Sequence, residues 1–296
     1  MIVITAPTSN IGHQVVENLL NAGEALRVIA REPTRLAPNV RERVEVVAGT
    51  HADTAVVDEA FEGADSVFWL VPSDPKAESA EASYVDFSRP ACAAFKRRGV
   101  KRVVAISALG RGTSVAANAG HVTASLAMCD LIAATGVDFR ALTLPGFMDN
   151  TLRQVDSIRD RGVFNWPLPG DPKNPMCATR DIAAAATRLL LDANWSGTGD
   201  VAVLGPEDIS LNDMAEIMTG VLGKPVRFEQ TPDDVFKAQM TGFGMSEPMA
   251  QALLDMAVAK SRGLDNGVRR TPESNSPTSF RQWCEDTLKP AVLRSA

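Results

Sequence analysis

The sequence predicts an α/β fold, in which a doubly wound parallel sheet is followed by a smaller C-terminal α/β cap domain. Three observations lead there. The opening residues read strand, turn, helix, strand. Strand-length apolar runs then alternate with helix-length amphipathic ones as far as Leu144, the pattern of a parallel sheet with helices on both faces and right-handed crossovers. Past Pro145 that alternation breaks.

Ile2, Val3 and Ile4 are a β-branched apolar run that suits a buried strand. Ala6 to Gly12 is small and polar, a loop. Val15, Val16, Leu19 and Leu20 share one helix face, and Gly23 stands where a helix stop is expected. Leu26, Val28 and Ile29 form a second strand. This is a βαβ unit, and the turn between its first strand and helix is where such units bind a dinucleotide. Arg43 to Val47 alternates as a strand. Asp53 is placed to cap the helix that buries Val56, Val57, Ala60 and Phe61. Ser66 to Val71 is continuously apolar, as a strand buried on both faces must be. Glu78 to Arg98 reads as one long helix, with Lys96, Arg97 and Arg98 favourable near its C-terminal dipole and Gly99 as its stop. A strand over Val103 to Ile106, a helix over His121 to Thr135 and a strand over Phe139 to Leu144 complete the alternation.

Beyond it, Leu152 to Arg161 reads as helix, Gly162 to Pro175 as a proline-rich loop, Asp181 to Asp192 as helix and Asp200 to Leu204 as a short strand. Ser210 and Asp213 have the spacing of a capping box, with Asp where Glu is usual. Met214, Ile217, Met218, Val221 and Leu222 form the apolar stripe of the helix that follows, which predicts core packing rather than a ligand pocket. Pro225 to Gln230 reads as strand, Asp233 to Arg262 as helices broken near Gly242 to Gly244, and Arg269 to Thr278 as polar loop. Phe280, Trp283 and Leu288 anchor a last helix. The predicted division is a dinucleotide-binding domain over 1–150, to which 178–205 returns, and a substrate or cap domain over 151–177 and 206–296.

The 296 residues carry a formal net charge of −6, which argues against a nucleic-acid or membrane surface as partner and leaves a small-molecule substrate. No feature speaks to oligomeric state. No apolar run reaches membrane-spanning length, and the N-terminus enters a strand with no basic leader, so the expected location is cytoplasmic. The four cysteines, Cys92, Cys129, Cys177 and Cys284, are far apart and read as free buried thiols. With three histidines in the chain, no metal site is expected.

A dinucleotide turn in its spaced form has three glycines, G-x-x-G-x-x-G. Here Ala6, Ser9 and Gly12 occupy those places. Gly12 lets the helix sit close to the strand, and Ala6 is the smallest substitute for a tight-turn glycine. Ser9 stands where bare backbone would approach a pyrophosphate. Its β-carbon would push phosphates outward, or its hydroxyl would donate to them; a positive φ at Ser9 would strain the turn by about 1–2 kcal/mol. Nucleotide binding and a plain structural turn are both open on the motif alone.

The run TAPTSNIG from Thr5 to Gly12 resembles the T-G-A-T-G-x-I-G of atypical short-chain dehydrogenases, the NmrA-like group in particular. Val28 to Pro33 (VIAREP), Asp65 to Pro72 (DSVFWLVP), Val100 to Ala108 (VKRVVAISA) and Leu144 to Asn150 (LPGFMDN) resemble its second, fourth and fifth strands and the loop after its sixth. The resemblance implies a Rossmann-type NAD(P)-binding domain. Its cofactor contacts would come from Ala6, Thr8, Ser9, Asn10, Ile11 and Gly12, from Val71 and Pro72, from Ser107, and from Pro145, Gly146 and Phe147. Arg31 closes the second strand and Arg35 follows four residues on. Guanidinium geometry suits a 2′-phosphate, which favours NADP over NAD, although solvated loop charges are the plainer account of both arginines.

The family's usual proton donor is the tyrosine of a Y-x-x-x-K motif. The single tyrosine, Tyr84, stands four before Ser88 and in the wrong helix, so that mechanism is absent. Ser107 matches the family's catalytic-strand serine and either bonds a substrate carbonyl or bonds the backbone. His121 opens the helix that also carries Ser125, where several NmrA-like sequences have histidine. It is either a proton donor or a satisfied histidine, and a helix N-terminus favours its neutral form. The preferred reading is an NADPH-dependent oxidoreductase reducing a small quinone or carbonyl compound, with Ser107 and His121 as catalytic candidates. The rivals are an NADP(H)-sensing regulator without turnover and a non-redox enzyme on the same fold.

Overall fold

The computed structural model describes residues 1–294. Its first half runs β1 (Ile2–Thr5), α1 (Gly12–Asn21), β2 (Leu26–Ala30), α2 (Pro38–Arg41), β3 (Glu45–Ala48), α3 (Thr54–Ala60), β4 (Ser66–Trp69), α4 (Phe87–Arg98), β5 (Arg102–Ala108), α5 (His121–Ala133) and β6 (Asp138–Leu144). There follow β7 (Gly146–Phe147), α6 (Val155–Arg161), β8 (Val163–Trp166), β9 (Asn174–Cys177), α7 (Thr179–Leu191), β10 (Thr198–Ala202) and β11 (Asp208–Ile209). The last are α8 (Leu211–Leu222), β12 (Arg227–Gln230), α9 (Asp233–Gly242), α10 (Glu247–Ser261), α11 (Phe280–Trp283) and α12 (Lys289–Arg294). Packing divides the chain into two units. The first holds Met1–Ala108, Ala124–Thr143 and Ile182–Val201; the second holds Leu109–Thr123, Leu144–Asp181 and the chain from Ala202 onward.

The first unit is built on one seven-stranded sheet of order β10-β6-β5-β4-β1-β2-β3. β1 pairs in parallel with β2 on one side and β4 on the other, and β2–β3 and β4–β5 are also parallel. The chain therefore moves outward through β2 and β3, returns to β4, and moves outward the other way. That reversal beside β1 is the topological switch point of a Rossmann-type sheet. Val3, Ile29, Val67, Trp69, Val103 and Ala105 from the strands pack with Val57, Phe61, Phe95, Met128 and Ile132 from the helices. Asp53 caps α3, accepting from the Ala55 and Val56 amides.

The helix expected over Glu78 to Arg98 is not uniform. A π turn spans Ala82–Asp86, and regular α4 begins at Phe87. Pro90 gives the reason: it has no N–H to offer the Asp86 carbonyl, and its ring crowds that carbonyl, so the preceding turn widens.

The second unit has a three-stranded sheet, β11-β9-β7, and a two-stranded one, β12-β8. The loop expected over Gly162 to Pro175 contains β8, paired in parallel with β12 from Val163 opposite Arg227 to Trp166 opposite Gln230, and the start of β9. The Ser210 and Asp213 capping box forms as expected. Met214 and Met218 are buried in a core with Ile158, Phe164, Phe280 and Trp283, so the methionine stripe is packing.

The start of α7 ties this unit together. Asp149 accepts from the amide and hydroxyl of Thr179, Asp181 accepts from the amide and hydroxyl of Thr278, and Arg180 pairs with Asp286. Lys260 and Asp265 form an ion pair whose side chains are 14% and 2% exposed. All four cysteines are buried, and none is in a disulfide. Burial pushes the thiols of Cys92 and Cys284 up to about 12 and that of Cys177 well above its ordinary value. Among the described residues, no helix is long and apolar enough to cross a membrane.

Candidate functional site

The turn from β1 into α1 holds itself together through one side chain. Ser9 donates its hydroxyl to the Ala6 carbonyl at 2.8 Å and accepts from the Gly12 amide at 3.0 Å, while its own amide bonds the Ala6 carbonyl at 3.1 Å. The Ser9 hydroxyl is thus turned into the loop, with its proton given to the Ala6 carbonyl rather than to a phosphate. Strain is also elsewhere than expected. Ala6, with φ of 48°, is the one non-glycine residue in the left-handed region among the described residues. Ile11 precedes α1 without a side-chain cap; the Gly12 and His13 amides bond the Ser9 hydroxyl and carbonyl, and the helix dipole still favours an anion at this end. Thr8 and Asn10 are exposed and Ile11 is buried.

The two substitutions at this turn are expected to act in opposite directions. Ala6→Gly removes about 1–2 kcal/mol of left-handed strain against about 0.5–1 kcal/mol of added chain entropy, and should stabilise modestly. Ser9→Gly relieves nothing and loses two side-chain hydrogen bonds, about 1 kcal/mol each. Urea denaturation of the two variants beside the wild type checks this; a gain in stability from Ser9→Gly contradicts it.

The other carboxyl ends of the sheet lie on the same edge. Arg31 leaves β2, and Arg35 closes a short 3-10 turn over Pro33–Arg35. Both are exposed, and neither side chain forms an ion pair or hydrogen bond among the described residues. Thr5 clasps the end of β4: its hydroxyl meets the Phe68 and Leu70 carbonyls and accepts from the Leu70 amide. Val71 and Pro72 follow that clasp, half-buried and exposed respectively. The next residue, Ser73, hydrogen-bonds the Tyr84 hydroxyl, whose pKa is raised by burial. The only tyrosine is therefore a fastening of this loop.

Ser107, in β5, is 5% exposed. Its hydroxyl oxygen is buried and has no hydrogen-bond partner among the described residues. A buried, unpaired hydroxyl is uncommon and costs about 1–3 kcal/mol. The backbone-bonded account of this serine does not hold.

His51 was not among the residues singled out from sequence. It leaves β3 and is 6% exposed, with its Nε2 3.1 Å from the Leu70 carbonyl and its ring edge-on to Trp69 and Phe87. Its pKa falls to about 4, first through burial, against the Leu70 hydrogen bond, and further through the charge of Arg31. The available signal was its position, in the turn after a parallel strand.

The remaining candidates belong to the second unit. His121 starts α5; its pKa is lowered by burial, against a hydrogen bond to the Met249 backbone. Burial favours its neutral form, the form also expected at a helix N-terminus. Gly120 allows this seating, since a β-carbon there would lie 1.9 Å from the Ala252 carbonyl oxygen of α10. Pro145 is buried, and Gly146 and Phe147 pair with Met176 and Cys177 of β9. Among the described residues, no group of His, Cys, Asp and Glu is placed to hold a metal ion.

Residues 1–275 match the NmrA-like family profile. A reductase from Streptomyces griseus, acting on (4-alkanoyl-5-oxo-2,5-dihydrofuran-3-yl)methyl phosphate, is 32% identical over 288 residues, 96% of each chain. Quinone oxidoreductase 2 of Escherichia coli is 25% identical over 89% of each chain. The crystal structure of that quinone oxidoreductase with NADPH superposes with a TM-score of 0.79 at 24% identity, covering 100% of this chain and 99% of that one. Citrobacter sp. triphenylmethane reductase complexed with NADP(H) also gives 0.79, at 17% identity and with 100% and 99% covered.

Proposed function

Since the chain belongs to the NmrA-like family, we propose that it is an NADPH-dependent reductase of small organic acceptors, with quinones preferred. The observation that carries this is the buried, unpaired hydroxyl of Ser107 at the carboxyl edge of a Rossmann-type sheet. The dinucleotide fits the residues present. The uncapped start of α1 suits a pyrophosphate, and the unpaired Arg31 and Arg35 suit a 2′-phosphate. NADPH, when bound, supplies the hydride. Thr8, Asn10, Ile11 and the turn about Ala6, Ser9 and Gly12 hold its phosphates. Val71 and Pro72 would hold it in the first unit, and Ser107 would donate to the acceptor's oxygen.

No Tyr/Lys pair assists the developing oxyanion, since Tyr84 is spent on Ser73. An unactivated ketone, whose alkoxide is strongly basic, should therefore be reduced poorly. A quinone's reduced oxyanion is delocalised and needs less help. The spent tyrosine equally supports a second reading, a protein that binds NADP(H) without turnover.

Loss of nicotinamide absorbance across quinones and aliphatic ketones tests the reading. Oxidation with quinones and little or none with ketones is the expected result. Ser107→Ala should lower the quinone rate by up to about a hundredfold, the low end of 2.7–4 kcal/mol for a lost oxyanion donor. Arg31→Ala should weaken NADPH at least roughly tenfold, from about 1.5–3 kcal/mol per charge-assisted bond, and leave NADH nearly unchanged. Tight NADPH binding with no oxidation by any acceptor would establish the second reading. Failure to bind either cofactor would refute both.

A further inference from the structure

The carboxyl edge of the first unit contains a titratable ring that the proposed chemistry does not use. β2 and β3 stay in register to Ala30 opposite Ala48, and the Gly49 amide bonds the Ala30 carbonyl at 3.0 Å. Arg31 therefore leaves its strand beside Gly49, two residues before His51. The His51 ring is held on three sides, by Trp69 at 5.1 Å, by Phe87 at 4.7 Å and by the Leu70 carbonyl. A neutral ring meeting a carbonyl through Nε2 must donate there, so Nδ1 is the acceptor, and it has no partner among the described residues.

We propose that His51 is a second determinant of cofactor choice beside Arg31: a 2′-phosphate held at Arg31 draws a proton from solvent onto Nδ1 of His51, and a dinucleotide lacking that phosphate does not. The inference rests on the NADP(H) reading of the site. Its physical basis is the sign of the local charge. In the protein alone the ring feels one ionic neighbour, the Arg31 cation at the end of β2, which repels an added proton. The other elements packed against the ring, β4 and α4, present Trp69, the Leu70 carbonyl and Phe87, none of which ionises near neutrality. On its own segment, Asp53 is turned to the amides of Ala55 and Val56. A phosphate monoester carries about one negative charge below its second pKa of about 6 and closer to two above it. Set against Arg31, it cancels the repulsion at the ring and turns it to attraction as its second proton leaves. Burial still opposes the imidazolium, so the effect belongs to mildly acidic solution.

Nuclear magnetic resonance of the histidine ring nitrogens reads this directly in the whole protein, with His51 identified by its absence from His51→Gln. The expected result is a titration midpoint of about 4 in the protein alone. It should rise by about one pH unit or more with saturating NADP+ and stay in place with NAD+. Calorimetry in two buffers of different ionisation enthalpy should show proton uptake with NADP+ at pH 5.5, lost in His51→Gln. NADP+ bound with an unmoved His51, or equal shifts with both cofactors, overturns the inference and leaves the proposed function standing. Absence of any NADP+ binding overturns both.

Discussion

Gly12→Ala is expected to abolish dinucleotide binding and to destabilise the first unit. A β-carbon at Gly12 would lie 2.1 Å from the Ala6 carbonyl oxygen and 2.9 Å from the Ser9 hydroxyl. The obstruction is mainly backbone and cannot swing aside. That carbonyl is already fixed by the Ser9 amide and hydroxyl, on a residue in the left-handed region. Opening the turn would sacrifice those two bonds and the one from the Gly12 amide to Ser9, about 1 kcal/mol each. A stability loss of about 2–4 kcal/mol follows, with NADPH affinity reduced at least roughly a hundredfold, equivalent to 2.7 kcal/mol. Denaturation and cofactor fluorescence measure the two effects. An alanine variant with wild-type stability and affinity would mean that the turn closes in some other way.

Lys260→Met is expected to have the largest effect on the second unit. Asp265 is nearly inaccessible, and one of its two carboxylate oxygens has no partner even with Lys260 present. Removing the lysine leaves a buried carboxylate with no cation, a change that typically costs about 3–5 kcal/mol. The double variant Lys260→Met, Asp265→Leu removes both charges and should recover most of that loss. Urea denaturation of the three proteins settles the matter. A single variant within 1 kcal/mol of wild type would show that the pair contributes little to the stability of the second unit.

What could be read from sequence was local. The opening βαβ unit, the Asp53 cap and the Ser210 capping box depend on residues a few positions apart, and each formed. What could not be read depends on distant partners. The strand Val163–Trp166 sits among prolines and becomes a strand only because Arg227–Gln230 pairs with it. The strained residue of the turn was assigned to Ser9, where a glycine would matter to a ligand, whereas the backbone places it at Ala6. Ser107 was placed from its strand, but its unpaired hydroxyl is a property of everything packed around it. His51 escaped notice because its character comes from Trp69, Leu70 and Phe87, all remote in sequence.

The buried cysteines acquire a chemical meaning if quinones are the substrates. Quinones are Michael acceptors, and they arylate proteins through thiolates, not thiols. Cys92 and Cys284, held up to about 12, are almost wholly protonated at any physiological pH, and Cys177 is pushed well above its ordinary value inside the second unit. Beside such electrophiles these three thiols would offer little thiolate.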